Sequence, residues 1–204
     1  MNENNKQNDK RERIINAALE EFSINGYKKT AIDEIVAKAE VSKGLIFHYF
    51  GNKKKLYLSL YQYCYDMMAT YFFDKLDTTN TDFFHRIKNA EQIKLELLQQ
   101  YPFFFQFLMK AYFETHTDVK ADIDRINNSI SPEAIAKSYS NIDYSKLKDN
   151  ISPDILMKII NWTSYGYMQE VFQRGETDMQ KIMDDYNVIL DILMANFYKE
   201  EYLS

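Results

Sequence analysis

The chain has 204 residues, 46% of them hydrophobic and 27% charged, with a formal net charge of −5. That balance excludes a disordered chain and leaves room for one or two domains with a sizeable core. A single cysteine, Cys64, rules out an internal disulfide or a paired-cysteine metal motif, and no apolar run approaches the roughly 18 residues of a membrane helix.

The charge is unevenly spread. Residues 1–60 carry eleven Lys and Arg against eight Asp and Glu, whereas the remainder carries fourteen against twenty-two. A basic end on an acidic body confines any contact with nucleic acid to the N-terminal part. With five glycines and three prolines in all, helices are favoured over a turn-rich β fold.

Residues 1–9 are polar and are expected to form a flexible arm; they show no signal-peptide pattern, which points to a cytoplasmic protein. A first helix follows from Lys10, with Ile15, Ala18, Leu19 and Phe22 as its buried stripe and Gly26 as its stop. Thr30 is placed to cap a second helix, with Asp33 as the acidic member of a capping box and Ile32, Ile35, Val36 and Ala39 on one apolar face. Ala39, Glu40 and Val41 make a turn. Ser42 then caps a third helix that sends Ile46 and Phe50 inward. Two short helices joined by so tight a turn form a helix-turn-helix, whose second helix enters the major groove of DNA.

The outward positions of that helix are Ser42, Lys43, Gly44, Phe47, His48 and Tyr49. Lys43 suits guanine O6 and N7, Gly44 allows close approach of the backbone, and Phe47 can meet a thymine methyl. Ser42 and Thr30 can reach phosphates through hydroxyl and N–H groups, as can His48 or Tyr49. Asn52 opens a long helix, to about Lys75, whose first turn holds Lys53, Lys54 and Lys55. Cations at a helix N-terminus break a local rule, and a phosphate bound there would offset the cost, with Lys53 as its main contact.

Residues 13–56 resemble the DNA-binding domain of the tetracycline-repressor (TetR) family. The likeness is carried by Ile14, Ile15, Ala17, Ala18, Phe22, Gly26, Tyr27 and Thr30, then Ile35, Val36 and Ala37. It continues through Val41, Ser42, Lys43 and Gly44, Ile46 to Phe50, and Asn52, Lys53 and Leu56. Here His48 precedes Tyr49, one place earlier than usual, and Lys54 replaces the common acidic residue.

Beyond the head, helices are expected over about 83–100, from Pro102, over 118–130, 132–139, 153–174 and 178–198, with a polar loop at 140–151. Thr177 and Gln180 suggest a capping box for the last of these. The fold expected is all-α, of about nine helices: residues 10–56 as a three-helix head and 57–204 as a helical ligand-binding and dimerisation domain.

The resemblance implies a homodimeric repressor of a palindromic double-stranded operator, released by a small inducer. Tyr61, Tyr65, Met68, Phe104, Phe107, Tyr112, Trp162 and Tyr165 could line its pocket, and the acidic, aromatic-rich body suits a flat or apolar, neutral to cationic ligand. For a dimer interface on the last two helices the resemblance suggests Ile159, Gly166, Val171, Ile182, Tyr186, Ile189 and Leu193. His48, His85 and His116 lack metal-site spacing, and no nucleophile elbow or phosphate-cradling loop occurs, so neither a metal, a cofactor nor an enzyme is expected. The competing reading is a helical ligand carrier or interaction protein with a non-functional head.

Overall fold

The computed structural model describes residues 3–130 and 132–203. These form ten α-helices: α1 Glu3–Lys29, α2 Ile32–Ala39, α3 Lys43–Phe50, α4 Lys53–Lys75, α5 Phe83–Gln100, α6 Pro102–Tyr112, α7 Thr117–Asn127, α8 Pro132–Ser138, α9 Pro153–Arg174 and α10 Met179–Phe197. The all-α expectation is met. Helix α1 takes in residues 3–9, which had been set apart as an arm, and positions 1 and 2 lie outside the described residues, as does Ser131. None of the described helices is long and apolar enough to cross a membrane.

The chain divides into two compact units, and neither is one continuous stretch. The first joins the chain through Ala69 to Tyr101–Ile130; the second joins Thr70–Gln100 to the part after Ser131. The first of the three crossings between them falls inside α4 and the second between α5 and α6.

In the first unit α1 packs against both α2 and α6. Its buried face is therefore wider than one stripe: Ile14, Ala17, Ala18 and Phe22 are sealed, while Ile15 and Leu19 are half-buried. At Gly26 the helical path breaks with φ 71°, a left-handed value that costs a glycine little, and Tyr27 turns inward. Phe22, Tyr27 and Phe107 surround Tyr57, with ring centroids 4.9, 5.0 and 5.4 Å away. Helix α7 is strapped to α4 at its middle and at its C-terminal end: Lys54 pairs with Asp122 at 2.8 Å, and Tyr61 and Tyr65 donate to the side chain and carbonyl of Asn127.

In the second unit α5 packs against α10. Phe83, Phe84, Ile87, Leu156, Ile160, Tyr186, Leu190 and Tyr198 form its core. Two polar nodes, one buried and one half-buried, hold the connecting loops. The Arg86 guanidinium, 1% exposed, donates to the carbonyls of Thr78, Asn80 and Ser138. Asp82 accepts from Lys146 Nζ (2.7 Å), the Tyr198 hydroxyl (3.1 Å) and the His85 amide (2.9 Å). Helix α10 is capped by Asp178, which accepts from the amides of Gln180 and Lys181. The cap had been expected at Thr177; the longer reach of a carboxylate one residue later serves two amides where a hydroxyl serves one.

Candidate nucleic-acid interface

Helices α2 and α3 are set by their termini. The second begins at Ala31, whose amide donates to the Glu34 carboxylate at 2.9 Å, half of a capping box. This corrects the sequence-based cap at Thr30 with Asp33. Thr30 is 1% exposed, and its hydroxyl donates back to the carbonyls of Gly26 (2.8 Å) and Glu21 (3.1 Å), closing the frayed end of α1. A side chain so placed fixes the entry to α2 and does not present its hydroxyl to a phosphate. The turn follows with Glu40 at φ 52°, its amide and that of Val41 returning to the carbonyls of Ala37 and Val36. Ser42 then caps α3 as expected, accepting from the Leu45 amide at 3.3 Å.

On α3, Ile46 is fully buried, and the apolar anchor fixes which way the opposite face looks. Ser42, Lys43, Gly44, Phe47 and His48 are exposed together, and Tyr49 is half-buried with its ring 5.6 Å from that of His48. Phe47 is 39% exposed, a large aromatic edge offered to solvent beside a lysine. A Cβ added to Gly44 would meet nothing within 4 Å, so the outer side of the helix is open at that point. Five of the eight residues proposed from the sequence are thus exposed along α3 and its cap.

The lysine-loaded start of α4 is compensated within the chain more than the sequence suggested. Asn52 accepts from the Lys55 amide as the cap. Lys53 Nζ donates to the Lys28 carbonyl at 3.2 Å and lies 4.9 Å over the Tyr27 ring; burial against this platform pushes its pKa down. Lys54 is taken by Asp122. Lys53 therefore sits at the junction of α1 and α4, where an anion would have to draw it off an aromatic face. Further ion pairs knit the head: Lys38 to Glu20 (2.7 Å) and Glu21 (2.6 Å), and Arg13 to Glu40 (3.6 Å). Lys43 is paired with Asp33, on the first turn of α2.

The eight residues expected to line a ligand pocket are divided between the two units. Tyr61, Phe104 and Phe107 are buried in the first unit, with Met68 and Tyr65 half-buried and Tyr112 39% exposed. Trp162, 69% exposed, and Tyr165 belong to the second unit. Of the residues offered for a dimer interface, Val171, Ile182 and Tyr186 are buried in the chain's own core, because α9 and α10 turn them toward their neighbours in the second unit. Ile159, Ile189 and Leu193 are half-buried and Gly166 is exposed. The apolar side chains these helices turn outward are Ile155, Trp162, Val188 and Ile192, each more than half exposed. A helix reading based on hydrophobicity alone cannot separate an inward from an outward stripe when both are apolar.

A helix-turn-helix with its anchor inward and a serine-, lysine- and glycine-bearing N-terminal face outward defines a DNA-binding regulator. Comparison with known proteins agrees. Residues 14–60 match the family of bacterial regulatory proteins designated tetR. The biofilm operon icaADBC negative transcriptional regulator IcaR of Staphylococcus aureus is 21% identical over 184 residues, covering 90% of this chain and 98% of the relative. The transposon Tn10 TetC protein of Escherichia coli is 40% identical over 67 residues, covering 33% of this chain and 34% of its own. Among solved structures, SmeT, repressor of the Stenotrophomonas maltophilia multidrug efflux pump SmeDEF, in its triclosan complex has a TM-score of 0.68 at 16% identity, covering 94% of this chain and 92% of its own. Residues 14–60 are thus similar to the DNA-binding domain of the TetR family, and the chain as a whole shares the fold of solved TetR-family regulators.

Proposed function

We propose that this protein is a homodimeric repressor that binds a palindromic operator and releases it when a small apolar or aromatic ligand binds. The observation that carries the DNA-binding part is the shared exposure of Ser42, Lys43, Gly44, Phe47 and His48 over a buried Ile46. Residues 10–56 would form the reading head and 57–204 the ligand-binding and dimerising part, with α6 and α7 folded into the head's own compact unit. The name of IcaR, a negative regulator, supports repression.

Dimerisation is supported by the outward apolar residues Ile155, Trp162, Val188 and Ile192, and by Gly166. That glycine costs a helix about 1 kcal/mol relative to Ala, and among the described residues nothing lies within 4 Å of where its Cβ would be. A second copy offers a close approach, and two-fold symmetry matches an operator with two half-sites. The ligand reading is supported by the buried aromatic side chains of the first unit and by the triclosan complex of SmeT. Tyr61 and Tyr65 already spend their hydroxyls on Asn127, so a ligand with one hydrogen-bonding group would compete for that residue.

Selection from a random duplex library at low salt, followed by a salt titration of the winner, tests the reading. A two-fold symmetric consensus with a steep salt slope supports it. Failure to enrich any sequence, with small aromatics still bound by a folded chain, would favour a ligand carrier.

A further inference from the structure

We infer that Asp33 and Lys43 act as one reader of a G·C base pair, a role that rests on the DNA-binding reading above. Lys43 opens the recognition helix, and its ammonium lies 2.9 and 3.1 Å from the two oxygens of the Asp33 carboxylate, which reaches across from the first turn of α2. Both side chains are open to solvent, at 50% and 73% exposure. An exposed ion pair of this kind contributes little to stability. Nor does α2 need Asp33 for its N-terminus, because Glu34 already bonds the Ala31 amide.

On a surface that meets a polyanion, a carboxylate is unfavourable unless the DNA offers it a donor. The major groove does so through base amino groups, cytosine N4 being the usual partner of an acidic side chain, while a lysine seeks the adjacent O6 and N7 acceptors of guanine. A G·C pair presents both within one base pair. The Asp33–Lys43 pair is complementary to that pattern, since its ammonium and carboxylate are already within hydrogen-bonding distance of one another. The same pairing lowers the attraction of Lys43 for phosphates generally, so the head trades non-specific grip for discrimination at one position.

The test is duplex selection and competition binding with the full chain, comparing the native protein with Asp33→Ala, Asp33→Asn and Lys43→Ala. The native protein should enrich a G·C pair at the same place in each half-site. Asp33→Ala should reduce preference for that pair roughly ten- to hundredfold, while binding to scrambled duplex tightens severalfold. Asp33→Asn should move the preference toward adenine, which asparagine reads through N6 and N7. Melting temperature measured alongside shows each variant folded. Symmetric sites lacking a shared G·C pair, or unchanged preferences in both Asp33 variants, overturn the inference and leave the regulator reading standing. If the native chain enriches no duplex, both fall.

Discussion

Thr30 offers a direct contrast between a structural and a DNA-contacting hydroxyl. Replacing it with valine keeps shape and volume but removes the donor that serves the Gly26 and Glu21 carbonyls. Gly26 keeps a weak partner in the Thr30 amide, at 3.4 Å. The loss is then one net hydrogen bond, about 1 kcal/mol, plus part of the cost of leaving a buried acceptor under-used, for a total of about 1–2 kcal/mol. For a chain of this size that corresponds to a fall in Tm of about 3–6 °C. Circular dichroism melting would read the stability, and fluorescence anisotropy on the selected operator would read log Kd against log salt. Thr30→Val should melt early yet keep the native salt slope, whereas Lys53→Ala should lower the slope by about one. A Thr30→Val protein that melts like the native one but loses one unit of slope would show that the hydroxyl works on a phosphate, and the reasoning would be wrong.

Other substitutions probe separate features. The Tyr57 hydroxyl is buried without a hydrogen-bond partner among the described residues, so Tyr57→Phe should raise stability by about 1 kcal/mol in urea unfolding; a loss of that size would reveal a partner. Trp162→Glu puts a charge among the outward apolar side chains of α9, and sedimentation should show a monomer with weakened operator binding; an unchanged dimer would place the interface elsewhere. For Asp82, burial raises the pKa, but the Lys146 ammonium, the His85 amide and the Tyr198 hydroxyl outweigh it and hold the carboxyl below its usual value. Its contribution is therefore present above the unfolded pKa of about 3.9 and is lost as pH falls through the folded value. Urea midpoints measured from pH 6 down to 2 should fall in acid, and Asp82→Asn should be less stable at pH 6 with a flatter acid limb. Parallel curves for the two proteins would remove Asp82 from that role.

The helices were legible because their punctuation is written in single residues. Asn52, Pro102 and Pro153 mark starts, Gly175 marks an end, Gly26 marks a break inside α1 where an end was expected, and α4 and α5 run over the residues expected from the sequence. The recognition face was legible for a similar reason: Ile46 is an apolar residue four positions before another, which fixes the side that looks away. What sequence could not give is which of several competing partners a polar group chooses. Thr30 and Asp33 fit a capping box as written, but the end of α1 claims the hydroxyl and Lys43 claims the carboxylate. Arg86 gave no warning either. It follows two phenylalanines and a histidine on α5, and only the folded loops around Thr78, Asn80 and Ser138 supply the carbonyls that let a guanidinium be buried. On α9, Ile155 and Leu156 are neighbours of equal hydrophobicity, one exposed and one sealed, and that difference depends on α9's neighbours in the second unit.

The interleaving of the two units governs the order in which the chain can be completed as it is made. Phe22, on α1, is covered by Phe107 of α6, 85 positions later in the sequence, so the head has an open flank until the whole of α5 has been synthesised. The second unit waits longer still, because the Phe84 amide finds the Tyr198 hydroxyl only when 114 further residues have emerged. Long loops close slowly, and apolar surface left waiting is exposed to wrong partners. A fragment ending at residue 56 would carry every proposed DNA contact and yet lack the lid over its own core. The DNA-reading surface is local in sequence; the stability that keeps it in shape is not.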